Sequence, residues 1–535
     1  MNTLRLDGTN LDDVALAGKI LRGGGVVAIP TETVYGLAAN ALSHDAALKV
    51  FAAKGRPADN PLIVHVADMA QLEAVWREVP QRARLLAEAF WPGPLSLILP
   101  RSDAIPDAVT GGLDTVGVRM PAHPVARTVI EAAGVPLAAP SANLSGKPSA
   151  TSAQHVLDDF DGRIDAVLDG GPCPVGVESS VVDLIGDIAT VLRPGAVLES
   201  DIAAILGAAR TAGPHAEADT APASPGMKYT HYATKAPITV LSGAPEDTAR
   251  ALEGYAHEPD TALIAFEEYI PELEPFTARL FNFGLSWDYE AHANRLFGLL
   301  READRTGAGS IVIQAPRRHG RGAATWNRLW RACGGREISC TDTTIVGITG
   351  RSGAGKSVLA ACLAAKGAAV LDADRIYSAL LRSDCAMQRA ILAQFPTVEG
   401  AEGGIDRRAL GTLVFGDAEA LAALSAITHP RVAAAIVTRL AGLRGGIAVL
   451  DVPVLFGSGI DRLCTVIVGL LADETGSTAR IMARDGIDAH TALGRLRAQQ
   501  PDDFFRRRCD VVLENHGSRQ AFLQKADALA ETLGL

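Results

Sequence analysis

Eight consecutive residues, Gly350-Arg351-Ser352-Gly353-Ala354-Gly355-Lys356-Ser357, spell the phosphate-binding pattern G-x-x-x-x-G-K-S. Glycines at this spacing let backbone N–H groups close around phosphate oxygens, and the start of a helix adds its dipole. The apolar TIVGIT precedes the loop and VLAACLAA follows it, the strand and helix that the motif requires. Gly353, Ala354, Gly355, Lys356 and Ser357 are therefore expected around the phosphates of ATP, with Lys356 at the β/γ-phosphates and the Ser357 hydroxyl on Mg²⁺. A second apolar run ends in Asp372-Ala373-Asp374, and Asp451 sits within AVLDVPVLF. A carboxylate at the carboxyl end of a parallel strand can orient or deprotonate a hydroxyl, or act through Mg²⁺. For any one of these acids a solvated strand end is the simpler reading; three on neighbouring strands point to chemistry.

The first 340 residues hold no such loop, so a nucleotide there must be held by side chains. The run GVVAIP empties into Thr31-Glu32-Thr33-Val34-Tyr35-Gly36-Leu37, and Lys54-Gly55-Arg56-Pro57 and Asn60-Pro61 follow. Two cations on a proline-stiffened turn suit a phosphate clamp, and a pair of solvated surface cations fits the same segment. His65 interrupts LIVHV, Arg119 closes TVGVRM, Ser179 and Ser180 precede VVDL, and Arg193 precedes Pro194-Gly195. A lone strand histidine is more often a satisfied core residue than a ligand group. An arginine ending an apolar strand implies an anionic partner, in the protein or in a ligand. Together these residues sketch a polar cavity with cations and hydroxyls.

The elements that must position them read as α/β throughout. Short apolar runs such as Val26–Pro30, Leu62–Val66, Leu95–Leu99, Val116–Met120 and Val181–Leu184 alternate with Ala/Leu-rich stretches, which predicts a mixed sheet. The Ala/Pro-rich Thr211–Ser224 reads as a linker. The expected organisation is a first domain over 1–205, a linker over 206–235, a small α/β domain over 236–335 and a parallel-sheet domain over 343–535. The 535 residues are 48% hydrophobic, enough for several cores, and carry a net charge of −11. From Thr343 onward there are 21 Lys/Arg against 20 Asp/Glu, leaving 29 against 41 before it. A front part at −12 argues against stable nucleic-acid binding, which needs clustered cations. The seven cysteines are scattered with no C-x-x-C pair, so neither a disulfide framework nor a zinc site is expected. No basic-then-apolar leader and no apolar run of about 18 residues is visible, so a reduced cytoplasmic setting and no membrane partner are expected.

Over Thr344–Leu535 the sequence resembles the dephospho-coenzyme A kinases, through GITG..GAGKS, LDADRI, DRRALGTLVFGD, His429-Pro430, LDVPVLF, Arg480 and Arg484 in R-x-x-x-R, RAQQ and CDVVLEN with Asn515. The resemblance implies phosphorylation of the ribose 3′-hydroxyl of dephospho-CoA by ATP, with Asp374 as base and Arg480 and Arg484 closing over ATP. Two departures stand out: Arg351-Ser352 where the family has Gly-Ile, and Gly457 where it has Glu. These leave open a regulatory or retuned kinase domain.

Over about Leu11–Leu198 the sequence resembles the Sua5/YrdC/YwlC family of L-threonylcarbamoyladenylate synthases, through PTETVYGL, KGRP..NPL, FWPGPLSLIL, VGVRMP, PSANLSGKPS, ESSVVD and LRPG. The long form of that family adds a second domain after a segment like Ser224-Pro225-Gly226-Met227-Lys228-Tyr229-Thr230-His231-Tyr232-Ala233. The stretches FNFGLSWDYEAHANRLFGLLREAD and TWNRLWRA resemble that domain's end. The resemblance implies a YrdC-like fold and the joining of L-threonine, bicarbonate or CO₂ and ATP into threonylcarbamoyl-AMP, destined for tRNA-modifying machinery. Lys54, Arg56, Asn60, Thr115, Ser141, Ser149, Arg193 and Tyr232 would hold ATP. Thr33, His65, Arg119 and Ser179 would hold threonine, and the linker with Tyr229 and Tyr232 would act as a lid. An RNA-binding front domain is the competing reading, disfavoured by the charge balance and the lack of an aromatic stacking platform.

Overall fold

The computed structural model describes residues 2–212, 232–341, 343–400, 404–414, 417–443, 445–452 and 454–535. The chain divides into two compact units. One comprises Met1–Leu241 with Ala251–Ile338, the other Ser242–Arg250 with Ser339–Leu535.

The first unit is built on a mixed 11-stranded sheet. Its centre interleaves Ile63–His65 and Thr115–Arg119 as parallel neighbours, in a register that sets His65 beside Arg119. Leu95–Pro100 runs antiparallel to Thr115–Arg119 and parallel to Ser180–Asp183, which in turn pairs antiparallel with Ala189–Arg193. The carboxyl ends of two strands and the start of a third therefore converge where His65, Arg119 and Ser180 lie. Val64, Leu97, Val118 and Val182 fill the core beneath them, each essentially inaccessible to solvent. The helix His44–Lys54 is capped at its start by Ser43, whose side chain accepts from the Ala46 amide, and ends at Gly55 with φ 61°. That left-handed C-cap, which glycine adopts without strain, leaves Lys54 in the last turn, where a cation meets the negative end of the helix dipole. The same unit holds a parallel sheet in which Leu280–Asn282, Thr261–Ala265, Ser310–Gln314 and Ile238–Ser242 are successive neighbours.

The second unit carries a five-stranded, all-parallel sheet in the order Ala369–Asp372, Ile447–Asp451, Thr344–Gly350, Val466–Leu471, Val511–Glu514. Chain connections leave Thr344–Gly350 toward one edge and later return past it to the other. Its carboxyl end is thus the switch point, where such sheets bind ligands. The helix Lys356–Ala365 starts there, from Gly355 with φ 109°.

Among the described residues one helix is long and apolar enough to cross a membrane, with mean hydropathy 1.5 over Glu419–Leu440. No such span is expected from the sequence, because Glu419, Thr428, His429 and Arg431 interrupt any apolar run; alanine carries the mean. Leu424, Thr428, Val432 and Ile436, spaced four apart, are buried along one face of this helix.

Candidate active sites

In the first unit the polar residues close around a cavity lined by Thr33, Lys54, Arg56, His65, Arg119, Ser141, Ser179, Arg193 and Tyr232 among others. Arg119 forms a close ion pair with Glu32, 2.5 Å between Nη2 and Oε1, with both side chains at least nine-tenths buried. It also donates from Nη1 to the Thr33 hydroxyl at 2.7 Å and from Nε to the Gly93 carbonyl at 3.1 Å. The anionic partner that the sequence demanded for Arg119 is thus a protein carboxylate. Burial opposes ionisation of Glu32, yet Arg119 outweighs it and holds the carboxyl below its ordinary range. His65 is pushed down to about 3 by burial and by Arg119, so its ring is neutral at physiological pH, with Nδ1 3.2 Å from the Ile63 carbonyl.

Lys54 is fully buried and donates to the carbonyls of Ser141 and Asn143, both at 2.5 Å. Burial, reinforced by Arg56, lowers its pKa well below that of a free lysine. Arg56 donates to the carbonyls of Asn60 and Pro61 at 3.2 and 3.0 Å, so the proline-stiffened turn grips its own cation. Ser179 shares a hydrogen bond with Ser96 at 2.8 Å, and Arg193 donates to its carbonyl and its hydroxyl at 3.1 and 3.2 Å. Burial, with Arg328 nearby, brings Arg193 down to about 10. Tyr232 has φ 66°, and its ring lies 4.9 Å from that of Phe297; burial pushes its hydroxyl up to about 12.

Three residues expected at the nucleotide do not line this cavity. Asn60 is buried beside Arg56, with its Oδ1 lacking a hydrogen-bond partner. Ser149 lies behind Glu178 and donates to its carboxylate at 2.6 Å. Thr115 begins the strand that Arg119 ends and pairs with Pro100, so four residues of extended chain, roughly 13 Å, separate it from that end. Of the linker expected over 206–235, residues 213–231 with Tyr229 lie outside the described residues; Ala209–Thr211 forms a strand beside Ala189–Arg193, and Tyr232 lines the cavity.

In the second unit the register sets Asp372 beside Asp451 on adjacent strands, with the phosphate loop one strand further on. Asp372 caps the helix Ala373–Ser383 by accepting from the Arg375 amide at 3.0 Å. Asp374 is raised above the ordinary carboxylate range by burial and by Asp372; Asp451 is raised by burial, with Asp372 and Asp374 adding to it. Lys356 folds back onto the carbonyls of Gly350 and Arg351 at 2.7 and 3.1 Å, and burial lowers its pKa. A Cβ on Gly353 would sit 2.6 Å from the Ser477 carbonyl, and one on Gly355 2.8 Å from Asn515 Nδ2. Asn515 itself donates to the Ala354 carbonyl at 2.9 Å, which secures the loop. The unusual Arg351 and Ser352 are engaged by residues 496–502. Arg351 bonds Asp502 and the Leu496 carbonyl, and the Ser352 amide donates to Gln499 at 2.8 Å. Of the two lid arginines, Arg484 is held by its neighbour Asp485 at 2.7 and 3.0 Å. Arg480 lies near Asp473. Among the described residues no three His, Cys, Asp or Glu side chains could hold a metal by themselves. Asp451 with the Ser357 hydroxyl suits Mg²⁺, which binds through one or two carboxylates and the phosphates it accompanies.

Three family models match the chain in succession: telomere recombination over residues 19–195, threonylcarbamoyl-AMP synthase C-terminal domain over 195–334, and dephospho-CoA kinase over 344–521. The threonylcarbamoyl-AMP synthase of Pyrococcus abyssi (strain GE5 / Orsay) is 46% identical over 332 residues, 61% of this chain and 95% of that protein. The dephospho-CoA kinase of Anaeromyxobacter dehalogenans (strain 2CP-C) is 39% identical over 197 residues, 35% of this chain and 92% of that one. The chain belongs to both families.

Its sequence joins the two domains of the threonylcarbamoyl-AMP synthase family to a domain of the dephospho-CoA kinase family, both families of ATP-using transferases. The structure of P. abyssi Sua5 complexed with L-threonine superposes with a TM-score of 0.59 at 41% identity, covering 63% of this chain and 99% of that one. Sequence reasoning passed over the residues that join the two synthase domains. Arg328 is fully buried and donates from Nε to Glu178 at 3.0 Å. Arg301 donates to Asp159 at 2.9 Å, and Asn294 to the carbonyls of Cys173 and Pro174 at 2.9 and 3.0 Å. Burial resists ionisation of Glu178, but Arg328 and Arg193 prevail and bring it down to about 2. The signals were present in ESSVVD and TWNRLWRA, but nothing local ties two charges 150 positions apart.

Proposed function

We propose that the front unit condenses L-threonine, bicarbonate or CO₂ and ATP into threonylcarbamoyl-AMP with release of pyrophosphate, and that the second unit transfers the γ-phosphoryl group of ATP to the 3′-hydroxyl of dephospho-CoA. The observation that carries the first half is a cavity whose lining brings Thr33, His65, Arg119 and Ser179 together with Lys54, Arg56, Ser141 and Arg193. The relative from P. abyssi with L-threonine bound supports assigning the first group to threonine. Arg119 would share its charge between Glu32 and the threonine carboxylate, while Thr33 and Ser179 orient the substrate and neutral His65 serves as a hydrogen-bonding wall. The threonine carbamate then attacks the α-phosphate. Positioning and charge neutralisation by Lys54, Arg56 and Arg193 supply the acceleration. Asn60 and Ser149 act one step back, by holding Arg56 and Glu178.

In the second unit Asp374 accepts the proton of the 3′-hydroxyl. Its raised pKa makes it a stronger base than a free aspartate. Lys356 leaves its loop carbonyls for the β/γ-phosphates, and Arg480 and Arg484 close over the nucleotide. Mg²⁺, when bound with ATP, neutralises charge on the phosphoryl oxygens, with Ser357 and Asp451 to hold it. The wide scatter of the seven cysteines, with no C-x-x-C pair, supports a reducing, cytoplasmic setting. The product threonylcarbamoyl-AMP would pass to tRNA-modifying machinery, without stable nucleic-acid binding by this chain.

One assay tests both halves. Purified protein with ATP, threonine and bicarbonate should release pyrophosphate and threonylcarbamoyl-AMP; with dephospho-CoA it should yield ADP and CoA. Absence of pyrophosphate in the first mixture, or of ADP in the second, removes the corresponding half. Retention of ATP with dephospho-CoA alongside intact synthase turnover would establish a regulatory second unit instead.

A further inference from the structure

We propose that Arg328, carried by the C-terminal domain of the synthase, is a positioning residue of the synthase site: it fixes Glu178 and Pro194, and through them aims Ser179 and Arg193 into the cavity. The inference rests on the synthase reading given above and adds a residue from outside the catalytic domain.

Arg328 sits in the helix Ala323–Cys333 and is wholly buried. Its Nε donates to the Glu178 carboxylate at 3.0 Å, its Nη2 to the Glu178 backbone carbonyl at 3.1 Å, and its Nη1 to the Pro194 carbonyl. Glu178 precedes Ser179 and Pro194 follows Arg193, so one side chain grips both neighbours of a site pair. That pair is itself in contact, through the bonds from Arg193 to the Ser179 carbonyl and hydroxyl. The two segments cross so closely that a Cβ on Gly195 would lie 2.3 Å from the Ser180 amide nitrogen, so glycine is required and the crossing cannot shift without opening the site.

Charge points the same way as geometry. Glu178 lines the cavity that would receive a triphosphate. Unneutralised, its carboxylate would repel that anion and draw Arg193 toward itself, since Glu178 and Arg193 lie within electrostatic reach. With Arg328 in place Glu178 is paired on one oxygen and accepts from Ser149 on the other, so both oxygens are engaged by groups other than Arg193, which it attracts only through space. A buried, hydrogen-bonded partner of this kind affects a neighbouring site most when one member is removed and the other stays charged.

The test is steady-state pyrophosphate release with threonine and bicarbonate, a readout the kinase half does not contribute to. Wild-type protein that releases none would fell the synthase reading itself, before Arg328 is in question. Given an active wild type, Arg328→Ala should raise the KM for ATP roughly tenfold or more, and the double variant Arg328→Ala/Glu178→Gln should recover most of that loss. Recovery by removing a charge distinguishes positioning from simple loss of packing. If Arg328→Ala is insoluble, Arg328→Lys decides: it keeps the charge but not the fork, and should raise the KM for ATP by a smaller factor with kcat within about twofold. An unchanged KM for ATP in the soluble variant, or a fall in kcat alone that Glu178→Gln does not reverse, overturns the proposal.

Discussion

In the synthase cavity Lys54, Arg119 and Arg193 are buried and already engaged by protein groups, and Glu178 and Glu32 are held in their ionised forms by arginines. In the kinase site the balance runs the other way. Asp374 and Asp451 are raised, Lys356 is lowered and turned onto its own loop, and Arg484 is occupied by Asp485. The first site has its charges compensated by protein groups, which suits the proposed reaction, whose carbamate intermediate must be held away from water. The second site carries under-compensated carboxylates and a displaced lysine. Mg²⁺ with ATP would relieve the former and recruit the latter, so the ligand completes this site.

The largest effect expected from this contrast is catalytic and confined to one half. Asp374→Asn should lower kinase kcat by about 10²- to 10⁴-fold, the usual worth of a general base, while pyrophosphate release by the synthase stays at the wild-type rate. Kinase turnover unchanged by this substitution would mean that the base is another group. Next in size is the buried pair. Arg119→Ala strands Glu32, already short of aligned hydrogen bonds, and should cost about 3–5 kcal/mol of front-unit stability. Adding Glu32→Gln should restore much of that stability without restoring threonine-dependent turnover. Denaturant melts of the single and double variants measure the difference. If the double variant is as unstable as the single, compensation at Arg119 is not what holds this region.

Legibility in the sequence divides along the line between local and distant pairing. His65 and Arg119 stood out because a polar residue at the end of an apolar strand is conspicuous, and the parallel register then put them side by side. The phosphate loop was legible because its residues are contiguous and its flanks are dictated by its geometry. Glu178 and Arg328 were not, because one buried ion pair 150 residues apart leaves no local period or spacing. Thr115 was legible only through the family resemblance: it shares a strand with Arg119 but stands at the other end of it. Asp372, Asp374 and Asp451 were legible as acids ending apolar runs on neighbouring strands, and the register adds that Asp372 lies directly beside Asp451.

Acid should separate the two halves. In the front unit His65 and His292 are brought down to about 3 and His155 to about 4, in each case chiefly by burial. An unfolded chain takes up these protons near pH 6.5 while the folded one refuses them, so stability falls as pH drops from about 6.5 toward 3 or 4. Glu178, depressed to about 2, adds a loss of the same sign below about 4.5. In the second unit His429, lowered by burial, adds a loss of the same sign, whereas Asp374 and Asp451 act oppositely. Their raised values mean that the folded kinase domain binds protons before the unfolded chain does, so lowering the pH through their folded values relieves a penalty present at neutrality. Hydrogen–deuterium exchange at pH 7 and pH 5, corrected for intrinsic rates, should show protection falling more in Ile63–His65 and Tyr289–Arg305 than in Thr344–Gly350. Equal losses in all three segments would erase the distinction.

The smallest effect concerns the missing carboxylate of the kinase. Gly457 has φ 85°, and nothing lies within 4 Å of where its Cβ would be, so space is available but the backbone conformation disfavours any side chain. Gly457→Glu therefore restores the residue common in the family at a cost of about 1–2 kcal/mol for a left-handed non-glycine residue. The expected outcome is a modest loss of kinase-domain stability in urea with kcat and the KM for dephospho-CoA within about threefold of wild type, because the strained backbone would not present the new carboxylate as an unstrained loop does. A tenfold drop in that KM would instead show that this half lacks a compensating charge on its acceptor side, and that its imbalance extends beyond Asp374 and Asp451.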